Sequence, residues 1–399
     1  MINVAILGYG VIGSGTYKVL NDNAAIVSAN AGDDIKVKYV LDLRDFPGSP
    51  VEDILTHDFN DIVNDESVDI VVEVMGGTGA AYKFVKASLE AGKNVVTSNK
   101  ALVAAYGPEL LKIAEEKQVN FMFEASVGGG IPIIRPLTRC ITADEILEIT
   151  GILNGTTNFI LSDMYDEGSE FEPTLKEAQK RGFAEADPTA DIEGHDACRK
   201  IAILAALAYG RYVDFEDLTC KGITDITAED IAFAKALGLK IKLLATAREK
   251  DGKIYGEVAP CMIGPSVPLF AVDGVMNAIL VKGNMLGDVM FYGAGAGSLP
   301  TASAVVSDII VEAKHLHENI KLRMSPEKQE IADTDDLVDR YFIRAEESTD
   351  IASLFSVETE ITVPEHPGEK GCLIYAVSGH ELKGKLAGVS GILSCIKVR

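Results

Sequence analysis

Positive charge is scarce in this chain. Lys and Arg number 37 against 60 Asp and Glu, a formal net charge of −23 over 399 residues. That balance excludes a general phosphate-neutralising surface, so nucleic-acid binding through backbone contacts is not expected. Long apolar runs are missing as well. The best candidate, Ile201 to Tyr209, is about half of the ~18–20 residues that a membrane helix needs. The first residues, Met1 to Gly8, carry neither the basic region nor the cleavage site of a secretory leader. The six cysteines (Cys140, Cys198, Cys220, Cys261, Cys372 and Cys395) include no CxxC pair, which argues against a zinc site or a redox pair. These absences lead us to expect a cytoplasmic chain with reduced thiols. Its apolar share of 47% is ordinary for a globular protein, and its length suits two or three domains.

The first third alternates between strand and helix patterns. Strands are expected at 2–7, Lys36–Leu43, Asp69–Met75, Asn94–Thr97 and Asn120–Glu124. Helical spacing fills the stretch to Leu20 and the segments 78–91 and 106–118. Such alternation implies an α/β fold, a parallel sheet with helices on both faces. After Leu137 the pattern changes. A strand over Glu145–Leu153 runs into the polar loop Asn154 to Asn158, with a helix from Phe159. Further helices are expected at Thr174–Arg181 and His195–Tyr209, a β-rich stretch at 253–293, and a helix at 301–316. Pro326 to Asp336 reads as an acidic linker, and the last 60 residues read β-α-β-β-α-β, with short helices at Ile351–Phe355 and Leu382–Val389.

Five stretches carry residue types suited to chemistry. Gly8-Tyr9-Gly10-Val11-Ile12-Gly13 follows a strand and opens a helix, the context a dinucleotide fingerprint requires. Gly8 permits the tight turn, Gly10 admits a pyrophosphate, and Gly13 lets helix and strand approach. The second strand should end at the adenosine ribose. It ends in Leu41-Asp42-Leu43-Arg44-Asp45, with Asp42 coming 29 residues after Gly13, later than the usual ~20. Asp42 favours NAD, Arg44 would accommodate the 2′-phosphate of NADP, and Arg44 could instead pair with Asp45; the local sequence leaves these open. Lys100, in Thr97-Ser98-Asn99-Lys100-Ala101, follows a strand end where open parallel sheets bind ligands. Asp196 and Lys200 lie one helical turn apart, as a plain salt bridge or as a general acid tuned by a carboxylate. Five acids crowd Glu185 to Asp196, a composition suited to a substrate ammonium group. Glu124 to Pro132 is a glycine-rich loop able to turn carbonyls toward a hard cation.

In the order they occur, the stretches GYGVIGSGTYKVL, VTSNKAL, FEASVGGGIPII, GILNGTTNFIL, GFAEADPTADIEGHDACRK and YGAGAGSLPTASAV resemble homoserine dehydrogenases over residues 1 to about 320. The resemblance implies a Rossmann NAD(P)-binding domain at 1–137 with a returning helix at 301–320. It implies an α+β catalytic and dimerisation domain at 138–300, and a small ACT-like βαββαβ unit at 338–399. The implied reaction is reversible NAD(P)-linked reduction of L-aspartate 4-semialdehyde to L-homoserine, by the monofunctional form, as a homodimer or higher homo-oligomer. By resemblance Lys200 is the proton donor and Lys100 its partner near nicotinamide and substrate. Glu185, Asp196, Asp191, Gly155 and Thr156 hold the amino acid. Gly8, Tyr9, Gly10, Val11, Ile12, Gly13, Arg44, Lys100, Gly182 and Gly297 meet the cofactor. Backbone oxygens of Glu124, Val127, Gly129 and Ile131 match a sodium site. No Asp-x-Pro-Gly-x-Leu ligand loop of ACT domains is present near the C-terminus, so a dimer contact is expected there rather than a threonine sensor, outside the active site. The competing readings are a non-catalytic dinucleotide sensor, which has no use for the Glu185, Asp196 and Lys200 set, and another semialdehyde or imine reductase of similar architecture.

Overall fold

Five of the six residues in Ile2–Leu7 are buried, although successive side chains point to opposite faces. A strand apolar on both faces needs cover on both, which places it inside a parallel sheet with helices above and below. The computed structural model describes residues 1–399 and shows that sheet in the first of two units, formed by Met1–Glu145, Ala202–Asp214 and Gly293–Gln329. Its strands are β1 (Ile2–Leu7), β2 (Ile35–Leu41), β3 (Leu55–Thr56), β4 (Ile70–Glu73), β5 (Asn94–Thr97) and β6 (Phe121–Met122), in the order β3-β2-β1-β4-β5-β6. All neighbours run parallel. The order reverses between β1 and β4, and ligands bind beyond the strand ends at such a point.

The late position of Asp42 has a simple cause. A second helix, Ala24–Ala31, follows the first and is closed by Gly32 at φ 83°. The helix Lys100–Lys117 begins earlier than the 106 expected, because the Asn99 side chain caps it by accepting from the Leu102 amide. The helix Ser298–Lys314 packs Val305 and Ile309 into the core beneath β1, β4 and β5. The same helix carries two buried acids. Asp308 accepts from the Glu124 amide at 2.8 Å and from Arg135 at 2.9 Å. Glu312 is fully buried with neither carboxyl oxygen bonded, and burial pushes its carboxyl well above the ordinary range.

The second unit comprises Ile146–Ile201, Phe215–Tyr292 and Glu330–Arg399. It is built on a mixed sheet of β7 (Ile146–Ile152), β8 (Lys240–Lys250), β9 (Lys253–Ile263), β10 (Met276–Gly283), β11 (Gly287–Ala294), β12 (Val338–Glu346), β13 (Val357–Ile361), β14 (Glu369–Ser378) and β15 (Ile392–Val398). The order is β11-β10-β7-β8-β9-β15-β12-β14-β13. No strand was expected at β8, nor a helix at Ala228–Ala236, which a reciprocal Thr227–Asp230 capping box starts.

The C-terminal strands are continuous with this sheet. β15 runs parallel to β9, with Cys261 opposite Lys397 and Met262 opposite Val398. Lys397 pairs with Glu257 at 2.7 Å and Arg399 with Glu148 at 3.0 Å. The expected linker is ordered: Ser325–Lys328 pairs with Arg211–Tyr212, and Ile331–Ala332 with Ile254–Tyr255. Ile351–Phe355, expected as a helix, is a single turn in which the Leu354 and Phe355 amides both donate to the Ile351 carbonyl. Five residues are too few to offset helix nucleation without further turns to follow. No helix is long and apolar enough to cross a membrane.

Truncation before Glu330 would strip β9 of its neighbour and remove buried Phe342, Ile343 and Ile374. Each such side chain is worth roughly 1.5–3 kcal/mol of burial. We expect a chain ending near Pro326 to be aggregated or to melt more than about 10 °C lower. A soluble truncate with unchanged Tm in a thermal melt would show the C-terminal strands to be dispensable.

Candidate active site

Unit 1 carries a cleft at the switch point. Gly8 sits at φ 99°, and a Cβ there would lie 3.0 Å from Met75 Cγ. A Cβ on Gly13 would lie 1.9 Å from the Gly8 carbonyl oxygen, so only glycine lets the helix Val11–Asp22 begin this close to β1. Gly10 faces open space. Tyr9, Val11 and Ile12 complete the turn, and the Tyr9 amide donates to Asp42 at 2.8 Å. The cleft, about 470 Å³, is lined by Gly8, Gly10, Asp42, Arg44, His57 and Met75 among others. A glycine cradle beside an open backbone and a helix N-terminus fits a dinucleotide pyrophosphate.

Arg44 does not pair with Asp45. Its guanidinium grips Asp42 in a fork, Nε to Oδ1 and Nη2 to Oδ2, both at 3.0 Å. That fork and the Tyr9 amide hold the Asp42 carboxyl well below the usual carboxylate range. Asp45 meets His57 instead, at 3.1 Å. Lys100 is the first residue of the helix Lys100–Lys117, at the end of β5. Gly297, at φ 120°, precedes the helix Ser298–Lys314.

The loop from Glu124 to Ile131 is also in unit 1. Its one acid is already committed: the Glu124 carboxylate accepts from the amides of Ile133, Ile134 and Arg135 at 2.6, 2.8 and 2.8 Å. The Gly130 amide donates to the Ala294 carbonyl, anchoring the loop on the strand before Gly297.

Unit 2 assembles the second cluster. The strand β7 ends at Ile152, and the next residue, Leu153, presents its carbonyl to Lys200 at 2.8 Å. Lys200 also bonds Asp196 at 2.7 Å, one turn back on the helix His195–Tyr209. Asn154 completes the group. Its Nδ2 donates to Asp191 at 2.7 Å and to Asp196 at 3.0 Å, while its Oδ1 caps the helix Gly155–Glu167 through the Thr157 amide. Burial raises the Asp191 carboxyl, with Asp196 adding to the rise and Asn154 and Lys200 opposing it. The Lys200 side chain keeps 11% of its exposure, enough for one face to reach a ligand. Gly155 has no room for a side chain, since a Cβ would lie 2.7 Å from the Val275 oxygen. Thr156 bonds the Phe183 carbonyl at 2.6 Å and so ties the loop of Gly182 and Glu185 to this helix start. The Glu185 side chain itself stays in solvent, outside the bonded group.

Lys200, Asp196 and Asp191 are therefore brought together, and Glu185 is not bonded to them. Asn154, which links both acids, reads in the sequence only as part of the polar loop Asn154 to Asn158. Its signal was present: an asparagine directly after a strand and before a helix is a favoured N-cap.

Comparison with known proteins decides the family. A homoserine dehydrogenase family model matches residues 132–310, and the NAD binding domain of homoserine dehydrogenase matches residues 8–124. A curated homoserine dehydrogenase of Neisseria gonorrhoeae is 43% identical over 355 residues, covering 86% of this chain and 82% of that one. The chain belongs to the homoserine dehydrogenase family. The crystal structure of a homoserine dehydrogenase from Thiobacillus denitrificans superimposes with a TM-score of 0.91 at 36% identity, over 100% of this chain and 98% of that one. A hyperthermophilic archaeal homoserine dehydrogenase in complex with NADPH gives 0.66 at 29% identity, over 77% and 96%. The protein is an NAD(P)-linked oxidoreductase acting on a CH–OH group, interconverting L-homoserine and L-aspartate 4-semialdehyde on the route to threonine and methionine. A sensor without catalysis, or a reductase of another substrate, does not account for these matches.

Asn154→Asp tests the linking role. Aspartate keeps the helix cap but replaces the donor with a third carboxylate beside Asp191 and Asp196. We expect the variant to fold and to bind cofactor normally, with turnover lowered by about 10–100-fold. Steady-state kinetics at wild-type values would reduce Asn154 to a cap.

Proposed function

We propose that Lys200 delivers the proton in this reaction and that Lys100 is its partner beside nicotinamide and substrate. The observation that carries the reading is the state of the Lys200 ammonium. It has three donors; Leu153 and Asp196 take two. The third is left for the substrate carbonyl oxygen. Bound NAD(P)H supplies the hydride. As charge develops on the oxygen, the ammonium stabilises it and then protonates it. Asp196 and Asp191, with Glu185 from the adjoining loop, hold the ammonium group of the amino acid. The first amides of the helix Gly155–Glu167, at Gly155 and Thr156, suit its carboxylate.

On unit 1, residues Gly8 to Gly13 hold the pyrophosphate, Arg44 takes the 2′-phosphate and Gly297 meets the nicotinamide side; Gly182, on unit 2, is assigned to the cofactor as well. NADP is favoured modestly over NAD, because the Arg44 fork prefers a dianionic phosphate to a single carboxylate. The backbone oxygens of Glu124, Val127, Gly129 and Ile131 lie on one buried loop segment, and neutral carbonyls of this kind suit a sodium ion. A homo-oligomer is supported by the sheet edge at β11, where Met290 and Tyr292 are exposed beside Met285 and Leu286, and a cytoplasmic location goes with the family's place in amino-acid biosynthesis.

Lys200→Ala should lower turnover by at least about 100-fold, the scale of a lost general acid, with NADPH affinity unchanged. The assay is nicotinamide absorbance with homoserine and NADP. Near-normal turnover would return Lys200 and Asp196 to a structural salt bridge. Arg44→Ala should raise the KM for NADP by about tenfold, the loss of one charged contact, and leave NAD unchanged or improved as Asp42 is released. Equal effects on both cofactors would place the Arg44 side chain in solvent during the reaction.

A further inference from the structure

Glu73 is the last residue of β4, in a strand whose other residues are Ile70, Val71 and Val72. It is completely buried. Packing the sheet end would be served by another aliphatic side chain, since burying a carboxylate is costly unless its oxygens are satisfied. They are satisfied from two different loops. Thr97 Oγ1 donates to Oε2 at 2.6 Å, and the Met75 amide to Oε1 at 2.9 Å. Burial raises the Glu73 carboxyl, and these two donors, with the nearby Gly76 amide and Asn99 side chain, offset part of that rise. From Thr97 the network continues toward the helix that starts with Lys100. The Asn99 amide donates to Thr97 Oγ1 at 2.9 Å. Asn99 Oδ1 accepts from Leu102 at 3.1 Å, and Asn99 Nδ2 donates to the Gly77 carbonyl at 2.6 Å. The loop on the other side is the one whose Met75 lines the cleft against Gly8.

We propose that Glu73 is a positioning residue for hydride transfer: its carboxylate holds the loop after β4 and the start of the Lys100 helix in one arrangement. This rests on the role given to Lys100 above. Glu73 does not touch substrate; it acts through Thr97 and Asn99. A misplacement of about 1 Å at a reacting group costs as much as 100-fold in rate, so loosening this network lowers kcat while leaving the adenosine half of the cofactor alone.

The test is a double-variant cycle with Glu73→Gln and Lys100→Ala, read by kcat, together with the Kd for 2′-phospho-ADP-ribose, which lacks nicotinamide. Glu73→Gln keeps the shape and replaces one acceptor by a donor. The expected result is a kcat about 10–100-fold lower, a fragment Kd within about twofold of wild type, and little further loss when Glu73→Gln is added to Lys100→Ala. Thr97→Val probes the same link from its other end, with smaller disturbance, and should give the same pattern should Glu73→Gln fail to fold. Unchanged kcat in Thr97→Val and Glu73→Gln overturns the proposal. Losses that multiply in the double variant overturn it too, as does a fragment Kd that weakens in step with kcat. Wild-type kcat in Lys100→Ala overturns the role of Lys100 along with it, whereas the proton-donor reading is judged separately by Lys200→Ala.

Discussion

The acidic cluster of unit 2 depends on one ammonium between two acceptors. Lys200 bonds a carbonyl at the end of a strand and a carboxylate on its own helix. Those two bonds fix where the helix His195–Tyr209 stands against the loop after β7. They also neutralise part of a crowded negative field. Asp191 and Asp196 share a single amide donor in Asn154, and like charges so placed raise each other's cost. A cation is what lets both remain together. Lys200 is thus part of what holds the cluster together, whatever else it does. Its pairing with Asp196, at 11% and 6% exposure, is also not the surface ion pair of low worth that exposed helices display.

The cofactor half follows from a different constraint, that parallel strands leave their reactive ends on one side. Leu7, Leu41, Glu73 and Thr97 end four such strands. Everything assigned to the dinucleotide in unit 1 comes from the loops just past these ends or from the glycine before the returning helix. Charges here are arranged in pairs, Asp42 with Arg44 and Asp45 with His57. Asp42 and Arg44 occupy one another in a two-bond fork, which is why the residues alone could not decide between NAD and NADP.

Much of this was legible in the sequence where a local rule has few solutions. The turn from Gly8 to Gly13 is such a case, because the backbones come too close for other residues. The helix His195–Tyr209 is another: its apolar stripe and its closing Gly210 leave little freedom in its bounds. Legibility ended where structure is non-local. Strand β8 is buried along seven consecutive residues, Lys242 and Thr246 among them, so it shows neither the alternation of a half-buried strand nor a clean apolar stripe from which to read it. The insertion of β15 between β9 and β12 joins residues more than 130 positions apart, which no local pattern encodes. Asn154 and Glu73 were readable as residues but not as linkers, since their partners come from other segments. Ile351–Phe355 had helical composition but no length.

Glu312 carries a different kind of consequence. Its carboxyl is enclosed with neither oxygen bonded, beside the acid Asp308. Such a group is held more cheaply neutral than charged. Ionised in the unfolded chain above the ordinary carboxylate range, the group is driven toward its neutral form by folding of unit 1. By linkage, the support this residue lends is complete at pH below the ordinary carboxylate range and is withdrawn as pH rises through its raised folded value. This side chain, which takes no part in binding, thus weakens unit 1 on the alkaline side, opposite in sign to Asp42, whose lowered carboxyl loses its support as pH falls.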